Sequence, residues 1–285
     1  MSGGADFPER PKLQRWRVVQ DGEGEAAENM ARDEAILNAV EQGEAPPTIR
    51  FYQWSRPSVS LGRFQSIERT MDRENCTRLG ISLVRRITGG RGILHGDDLT
   101  VSIVCPVQAL GLGSESGISA LYRHFARGFL EAFAALEIEA VVGAEAKERV
   151  REVRGDCFAT VSQADVIEAR SGRKLLGSAL HRRDTMLLQQ ISIPLYTEAR
   201  KREYGEIARA VFRGPTALNA QAEGGLPLEL ERLTVALCMG LEFALKIELN
   251  AGQITAWEQA AEMGLRSERY SDVAWTDRST PRRDN

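Results

Sequence analysis

Between residues 15 and 250 the chain alternates short apolar runs with polar, glycine-bearing joints, and the period inside each run predicts its conformation. WRVVQ (16 to 20) reads as a strand. Residues 27 to 42 put Met30, Ile36, Leu37 and Val40 on a partial helical face that Gly43 ends. After Pro46-Pro47, TIRFYQW and SVSLGRF predict two strands around a Ser55-Arg56-Pro57 turn. A helix follows near 68 to 79, and the strand ISLVRRI (81 to 87) then runs into Thr88-Gly89-Gly90-Arg91-Gly92. LTVSIV (99 to 104) leaves that loop as the next strand.

From Ile118 the positions Leu121, Tyr122, Phe125, Phe129, Phe133 and Leu136 recur at helical spacing, the strongest helix signal in the chain. Residues 163 to 169, 173 to 181 and 185 to 193 read as three strands, the first pair turned by Ser171-Gly172. Strands joined by hairpins rather than by regular βα repeats predict an α/β (α+β) fold with a mixed, largely antiparallel sheet flanked by helices. Residues 1 to 14 and 266 to 285 lack periodic apolar positions and read as flexible tails. Between them the pattern divides into one domain (15 to 214) and a small helical subdomain (215 to 265) with helices at 228 to 248 and 252 to 263.

Composition changes this picture little. The 285 residues are 42% hydrophobic and 27% charged, ordinary for a soluble globular protein, and the formal charge of −3 argues against a protein built to grip a nucleic-acid backbone. No apolar run reaches the roughly 20 residues of a membrane span, and the N-terminus lacks an apolar signal core. A cytoplasmic monomer without membrane attachment is expected. The four cysteines, Cys76, Cys105, Cys157 and Cys238, form no C-x-x-C pair and have no histidine at ligand spacing, so no metal site and no disulfide is expected.

Two glycine-rich stretches could hold a ligand. GLGSESG (111 to 117) mimics a dinucleotide loop but has Ser116 where the third glycine belongs, so no cofactor is expected there. In RRITGGRGILHG (85 to 96) the glycines free the backbone to approach a carbonyl or phosphate, with Arg85, Arg86 and Arg91 as donors around it. The alternative is a glycine turn between strands with solvated arginines.

The run Arg85-Arg86-x-Thr88-Gly89-Gly90-Arg91-Gly92-x-Leu94-His95, followed by Asp98-Leu99-Thr100-x-Ser102, resembles the acyl-binding loop of the lipoate/biotin protein ligase superfamily. The resemblance extends to Asn29-Met30-Ala31-x-Asp33-Glu34-Ala35, to PPTIRFYQW and to Gly172-Arg173-Lys174-x-x-Gly177-Ser178-Ala179, covering most of residues 15 to 250. It implies the class II synthetase-like catalytic fold. Acyl contacts would come from Arg86, Thr88, Gly89, Gly90, Arg91, His95, Gly177, Ser178 and Ala179.

The superfamily contains ATP-dependent ligases and octanoyltransferases that receive a thioester. In the octanoyltransferase branch a cysteine followed by phenylalanine precedes the Gly-Arg-Lys strand, and Asp156-Cys157-Phe158 stands in that place. The resemblance therefore implies Cys157 as nucleophile and Lys174 beside it. It also implies octanoyl-acyl carrier protein as donor, a lipoyl domain or glycine-cleavage H protein as acceptor, and no nucleotide. On the residues alone, Cys157 could equally be a small core thiol and Lys174 an exposed strand lysine. His95 could pair with the cysteine or close a turn, and Cys76, Cys105 and Cys238 read as core or surface thiols. His124 and His181 read as surface residues near arginines, and the basic clusters Arg123/Arg127, Arg149/Arg151/Arg154 and His181/Arg182/Arg183 would steer an acidic carrier if they ring the pocket.

The chain departs from the branch pattern in having Leu180 where a glutamine is usual and Gln190-Ile191 where His-Gly is usual. These changes alter the pocket wall and leave acyl length open. They also keep two other readings in play, an ATP-dependent lipoate ligase and a non-catalytic paralogue that binds lipoyl domains or acyl carriers.

Overall fold

The computed structural model describes residues 13–113, 115–143, 165–195, 198–213, 226 and 228–278. Its strands are β1 (Gln14–Gly24), β2 (Thr48–Trp54), β3 (Ser58–Leu61), β4 (Ser82–Arg85), β5 (Ile93–His95), β6 (Asp98–Pro106), β7 (Ala140–Val142), β8 (Val166–Glu168), β9 (Gly177–Arg183), β10 (Met186–Pro194) and β11 (Ile247–Ala251). The helices are α1 (Ala26–Gln42), α2 (Ile67–Thr70), α3 (Arg73–Arg78), α4 (Ile118–Ala135), α5 (Glu198–Val211), α6 (Leu230–Leu245), α7 (Ala256–Leu265) and α8 (Val273–Asp277).

Six strands form the main sheet in the order β11-β1-β2-β6-β10-β9, the first three parallel and the rest antiparallel. A second sheet, β4-β3-β5, lies beside it, and β7 pairs with β8. β2 and β3 therefore flank a turn, as their sequences suggest, yet belong to different sheets. The expected helix at 68 to 79 is two short helices, each begun by a side-chain cap, Ser66 on the Arg69 N–H and Asp72 on the Asn75 N–H.

Three apolar clusters hold these layers. On one face of the main sheet, Phe51, Val101, Ile103, Leu187 and Ile191 meet α4 through Leu121, Phe125, Phe129 and Phe133. These four helix positions are spaced by four residues and make one buried stripe. On the other face α1 packs Ile36, Leu37 and Val40 over Val104 and Leu188. The third cluster joins β3 and β5 to Tyr204, Ala208 and Val211 of α5. A capping box between Glu25 and Glu28 starts α1 and so fixes where Met30 and Asp33 stand above the sheet.

The C-terminal third packs on the same core and sheet. Leu233, Leu237 and Leu241 of α6 lie in the same cluster as α4, and β11 extends the main sheet beside β1. A Cβ on Gly240 would collide with the Gly128 carbonyl oxygen, so the two helix backbones touch there. The segment expected as a flexible tail from 266 is folded through residue 278: a π-turn (Arg266–Tyr270) leads into α8. Tyr270 is buried and donates to Glu34 Oε2 at 2.7 Å, and Trp275 Nε1 donates to the Arg85 carbonyl at 2.9 Å. Both are tertiary bonds to distant segments, which no local pattern foreshadows. No helix among the described residues is long and apolar enough to cross a membrane.

Candidate active site

Strand register fixes where a pocket can open. Across the α1 face of the main sheet, Tyr52, Thr100, Ser192 and Gly177 stand in one row, and Arg50, Ser102, Gln190 and Ala179 in the next. α1 covers the sheet from the second row onward. Over the first row lie β3 and β5 instead, and a narrow pocket remains between the two sheets. Tyr52, Thr100, Ser192, Gln190 and Ala179 from these rows line it, together with Ile191, Met30, Trp54, Ser60, Arg86, Ile93 and His95.

Many of these residues are polar, yet the accessible wall is apolar. The reason is that their polar atoms bond one another. His95 Nδ1 lies 2.8 Å from Asp98 Oδ2 and its Nε2 lies 2.8 Å from Ser60 Oγ. Asp98 Oδ2 also accepts from Ser192 Oγ at 2.6 Å and Thr100 Oγ1 at 3.1 Å, and Trp54 Nε1 donates to Thr100 Oγ1 at 2.9 Å. The His95 ring stacks on Trp54 with centroids 3.9 Å apart, giving a flat carbon wall. Burial alone would raise the Asp98 carboxyl, but His95, Ser192 and the Gly96 N–H outweigh it and hold Asp98 below the usual carboxylate range. Asp98 on Nδ1 and Ser60 on Nε2 together fix the orientation of the imidazole ring. The order of atoms matches a serine-histidine-aspartate relay, but Ser60 sits mid-strand between β4 and β5, only 2% exposed, so the relay serves the wall.

The glycine loop hangs on Arg86, whose Nη1 donates to the Ser60 carbonyl at 2.7 Å and whose Nη2 donates to the carbonyls of Gly89 and Arg91 at 2.8 and 2.7 Å. Arg85 is likewise turned inward, donating to the carbonyls of Gly62, Gln65 and Thr276. Arg86 thus braces the glycine loop and Arg85 the 62–65 segment beside it, where the sequence suggested donors to a ligand anion. Gly90 adopts φ +83°, and a Cβ on Gly62 would strike its carbonyl oxygen, so strand β3 can approach the loop only as glycine.

Gln190 ties this loop to α1. Its Oε1 accepts from Thr88 Oγ1 at 2.7 Å, and its Nε2 donates to Asp33 Oδ2 at 2.7 Å and contacts Met30 Sδ at 3.4 Å. Asp33 is fully buried and accepts in addition from Arg50 Nη1 at 2.7 Å, Ser102 Oγ at 2.8 Å and Tyr52 Oη at 2.9 Å. Burial, followed by the neighbouring Asp33, drives the Tyr52 phenol well above its ordinary value.

Lys174, which on its own could have been a solvated strand lysine, is 3% exposed and donates from Nζ to Asp165 Oδ2 at 2.8 Å. A bridge between Lys174 and Ile167 places it opposite β8. Cys157 lies outside the described residues, as do Arg149, Arg151 and Arg154. Burial, followed by nearby Asp72 and Glu242 respectively, pushes the Cys76 and Cys238 thiols up to about 11, and burial alone raises Cys105 further. These three are protonated at neutral pH and suit packing rather than attack.

Of the residues expected to contact an acyl group, Arg86, His95 and Ala179 line the pocket, and Thr88, Gly89, Gly90 and Arg91 form the braced loop beside it. Gly177 and Ser178 are not in the lining; Ser178 Oγ instead accepts from Gln189 Nε2 at 2.7 Å. His181, expected on the surface, is partly buried near Arg63 and Arg183. Tyr52, Trp54, Ser60, Ile93 and Ser192 line the pocket without having been singled out as contacts, and Gln190 lines it as the wall position at which the sequence departs from the branch pattern. For Gln190 and Ser192 a signal existed, since alternation along the strand puts both on the face of Leu188, but only the register tells which face is the pocket.

Residues 25–213 match the family profile of the lipoyl protein ligase A/B catalytic domain. The octanoyltransferase LipM of Symbiobacterium thermophilum is 35% identical, covering 92% of this chain and 98% of its own. That of Halalkalibacterium halodurans is 31% identical over 93% of this chain and the whole of its own. Among solved structures, a lipoate-protein ligase A bound with ATP superposes with a TM-score of 0.75 at 22% identity, covering 94% of this chain and 100% of its own. A bipartite lipoate protein ligase from Thermoplasma acidophilum gives 0.74 at 22% identity, over 94% and 98%. At that identity the two structures bear on the fold alone, and the fold is that of the lipoate ligases.

Proposed function

The chain belongs to the lipoyl protein ligase A/B catalytic family, and from that premise we propose that it is an octanoyltransferase acting through a cysteine thioester. The donor is octanoyl-acyl carrier protein and the acceptor a lysine of a lipoyl domain or of a glycine-cleavage H protein. The observation that carries this reading is similarity over more than nine-tenths of the chain to octanoyltransferases, in a sequence that sets Asp156-Cys157-Phe158 ahead of Gly172-Arg173-Lys174.

The chemistry balances without a nucleotide. The Cys157 thiolate attacks the octanoyl carbonyl, the new C–S bond forms as the carrier's C–S bond breaks, and the carrier thiolate leaves and takes up a proton. The acceptor amine then attacks the Cys157 thioester, an amide forms, and the Cys157 thiol is released as the amine loses its proton. Lys174 supports both steps as an ammonium: its charge favours the thiolate and its N–H bonds suit the carbonyl oxygen as negative charge grows there. Asp165, 2.8 Å from Nζ, holds the buried amine in place. The apolar wall made by Trp54, Ile93, Ala179 and the stacked His95 suits an alkyl tail.

The test is intact-mass analysis after incubation with the octanoylated carrier, which is expected to show one octanoyl group on Cys157 that disappears when an apo lipoyl domain is added. Cys157→Ser is expected to lower transfer by at least about a thousandfold, and Lys174→Ala by about a hundred- to a thousandfold. A Cys157→Ser protein that is fully active and requires ATP would overturn the assignment.

A further inference from the structure

We propose that Gln190, with Met30 beside it, closes the inner end of the pocket and sets the length of the acyl chain the protein accepts; this rests on the acyl-transfer reading above. The pocket lies over the row Tyr52-Thr100-Ser192-Gly177, and the next row contains Gln190 between Ser102 and Ala179. At that row the covering layer changes from β3 and β5 to α1. An alkyl chain advancing along the wall of Trp54, Ile93 and Ala179 therefore meets the Gln190 carboxamide and the Met30 thioether, which touch each other at 3.4 Å.

What stands behind them makes the stop a firm one. Asp33 is within 2.7 Å of Gln190 Nε2 and also receives Arg50 and Tyr52, both nearly inaccessible to solvent. Methylene groups pushed into that cluster would strip donors from a buried carboxylate, a displacement far costlier than the gain from burying carbon. Gln190 cannot swing aside, because its Oε1 is engaged by Thr88 at 2.7 Å while its Nε2 is engaged by Asp33. The side chain is thus fixed at both ends of its amide, and its bulk is the variable that limits the depth of the pocket.

The full-length protein is tested with octanoyl-, decanoyl- and dodecanoyl-acyl carrier protein, reading kcat/KM for transfer to an apo lipoyl domain. Gln190→Ser shortens the side chain and keeps a hydroxyl for the Thr88 side. It is expected to raise the decanoyl-to-octanoyl ratio about tenfold or more, the scale of discrimination that added methylenes bring. Gln190→Met keeps the volume and loses the hydrogen bonds, and its ratio is expected to stay that of wild type even as total activity falls. Met30→Ala opens the same end from α1 and is expected to shift the ratio in the same direction as Gln190→Ser. A wild-type ratio in a folded Gln190→Ser, or a shift in Gln190→Met as large as in Gln190→Ser, overturns the proposal. If Gln190→Ser does not fold, a wild-type ratio in Met30→Ala overturns it alone. Wild-type protein that accepts no acyl carrier of any length overturns both this proposal and the acyl-transfer reading, whereas normal octanoyl transfer with unmoved ratios overturns this proposal only.

Discussion

At the scale of single residues, the polar side chains around the pocket are legible only in pairs. Lys174 was identifiable from its motif, but its environment was not: nothing near it in the pattern distinguishes an ammonium bonded to Asp165 from one in water. His181 shows the same gap. Burial, then the charges of Arg63 and Arg183, push its imidazole down to about 4 from the ordinary 6.5, with Glu34 opposing them. Because the folded pKa lies below the unfolded one, the folded protein holds a neutral ring between those values where the unfolded chain takes up a proton. Stability is therefore complete above the unfolded value and declines as pH falls toward about 4. His181→Asn is expected to remove part of that decline, measured as a smaller drop in urea midpoint between about pH 7 and pH 5 than wild type shows.

At the scale of elements, the runs with a strict period were the legible ones. α4 and the strands β1, β2, β6 and β10 are where their patterns put them, because each buries one face or both against a contiguous core. β11 (IELNA) was missed because it is short, largely exposed and at the sheet edge, where backbone pairing with β1 rather than side-chain burial holds it. α5 was missed although Tyr204, Ala208 and Val211 are spaced for one face, because charged residues fill the rest of the helix. The contact of α4 with α6 offers a sharp check on the architecture. Gly240→Ala must displace the Gly128 carbonyl of the facing helix, and it is expected to cost about 1 to 3 kcal/mol in urea unfolding, with acyl-chain preference unchanged.

At the scale of the whole molecule, the fold class was legible and the extent of the folded C-terminus was not. Hairpin-linked strands correctly imply a mixed, largely antiparallel sheet with helices on its faces, and the lipoate ligase structures have the same architecture. The C-terminal residues were set apart because their local composition changes, yet Tyr270 reaches Glu34 and Trp275 reaches Arg85 across some 190 residues or more of chain. Arg85 in turn donates to the Thr276 carbonyl and to Gly62 beside the glycine loop. Deleting residues 266 to 285 is thus expected to lower Tm by several degrees, since the site vacated by Tyr270 is exposed and Arg85 Nε loses its acceptor. The deletion is also expected to raise KM for the acyl donor, checked by melting and by steady-state transfer assays.

The Asp98-His95-Ser60 chain of hydrogen bonds has a consequence for how such a pocket can diverge. Its carbon surface exists only because each polar atom hides behind another, so one substitution strands a buried partner. Variants at His95, Ser60 or Ser192 should therefore survive in natural or selected populations mainly as compensated sets. Gln190, whose partner Asp33 retains other bonds, is the wall position at which a lineage could try new substrates one mutation at a time.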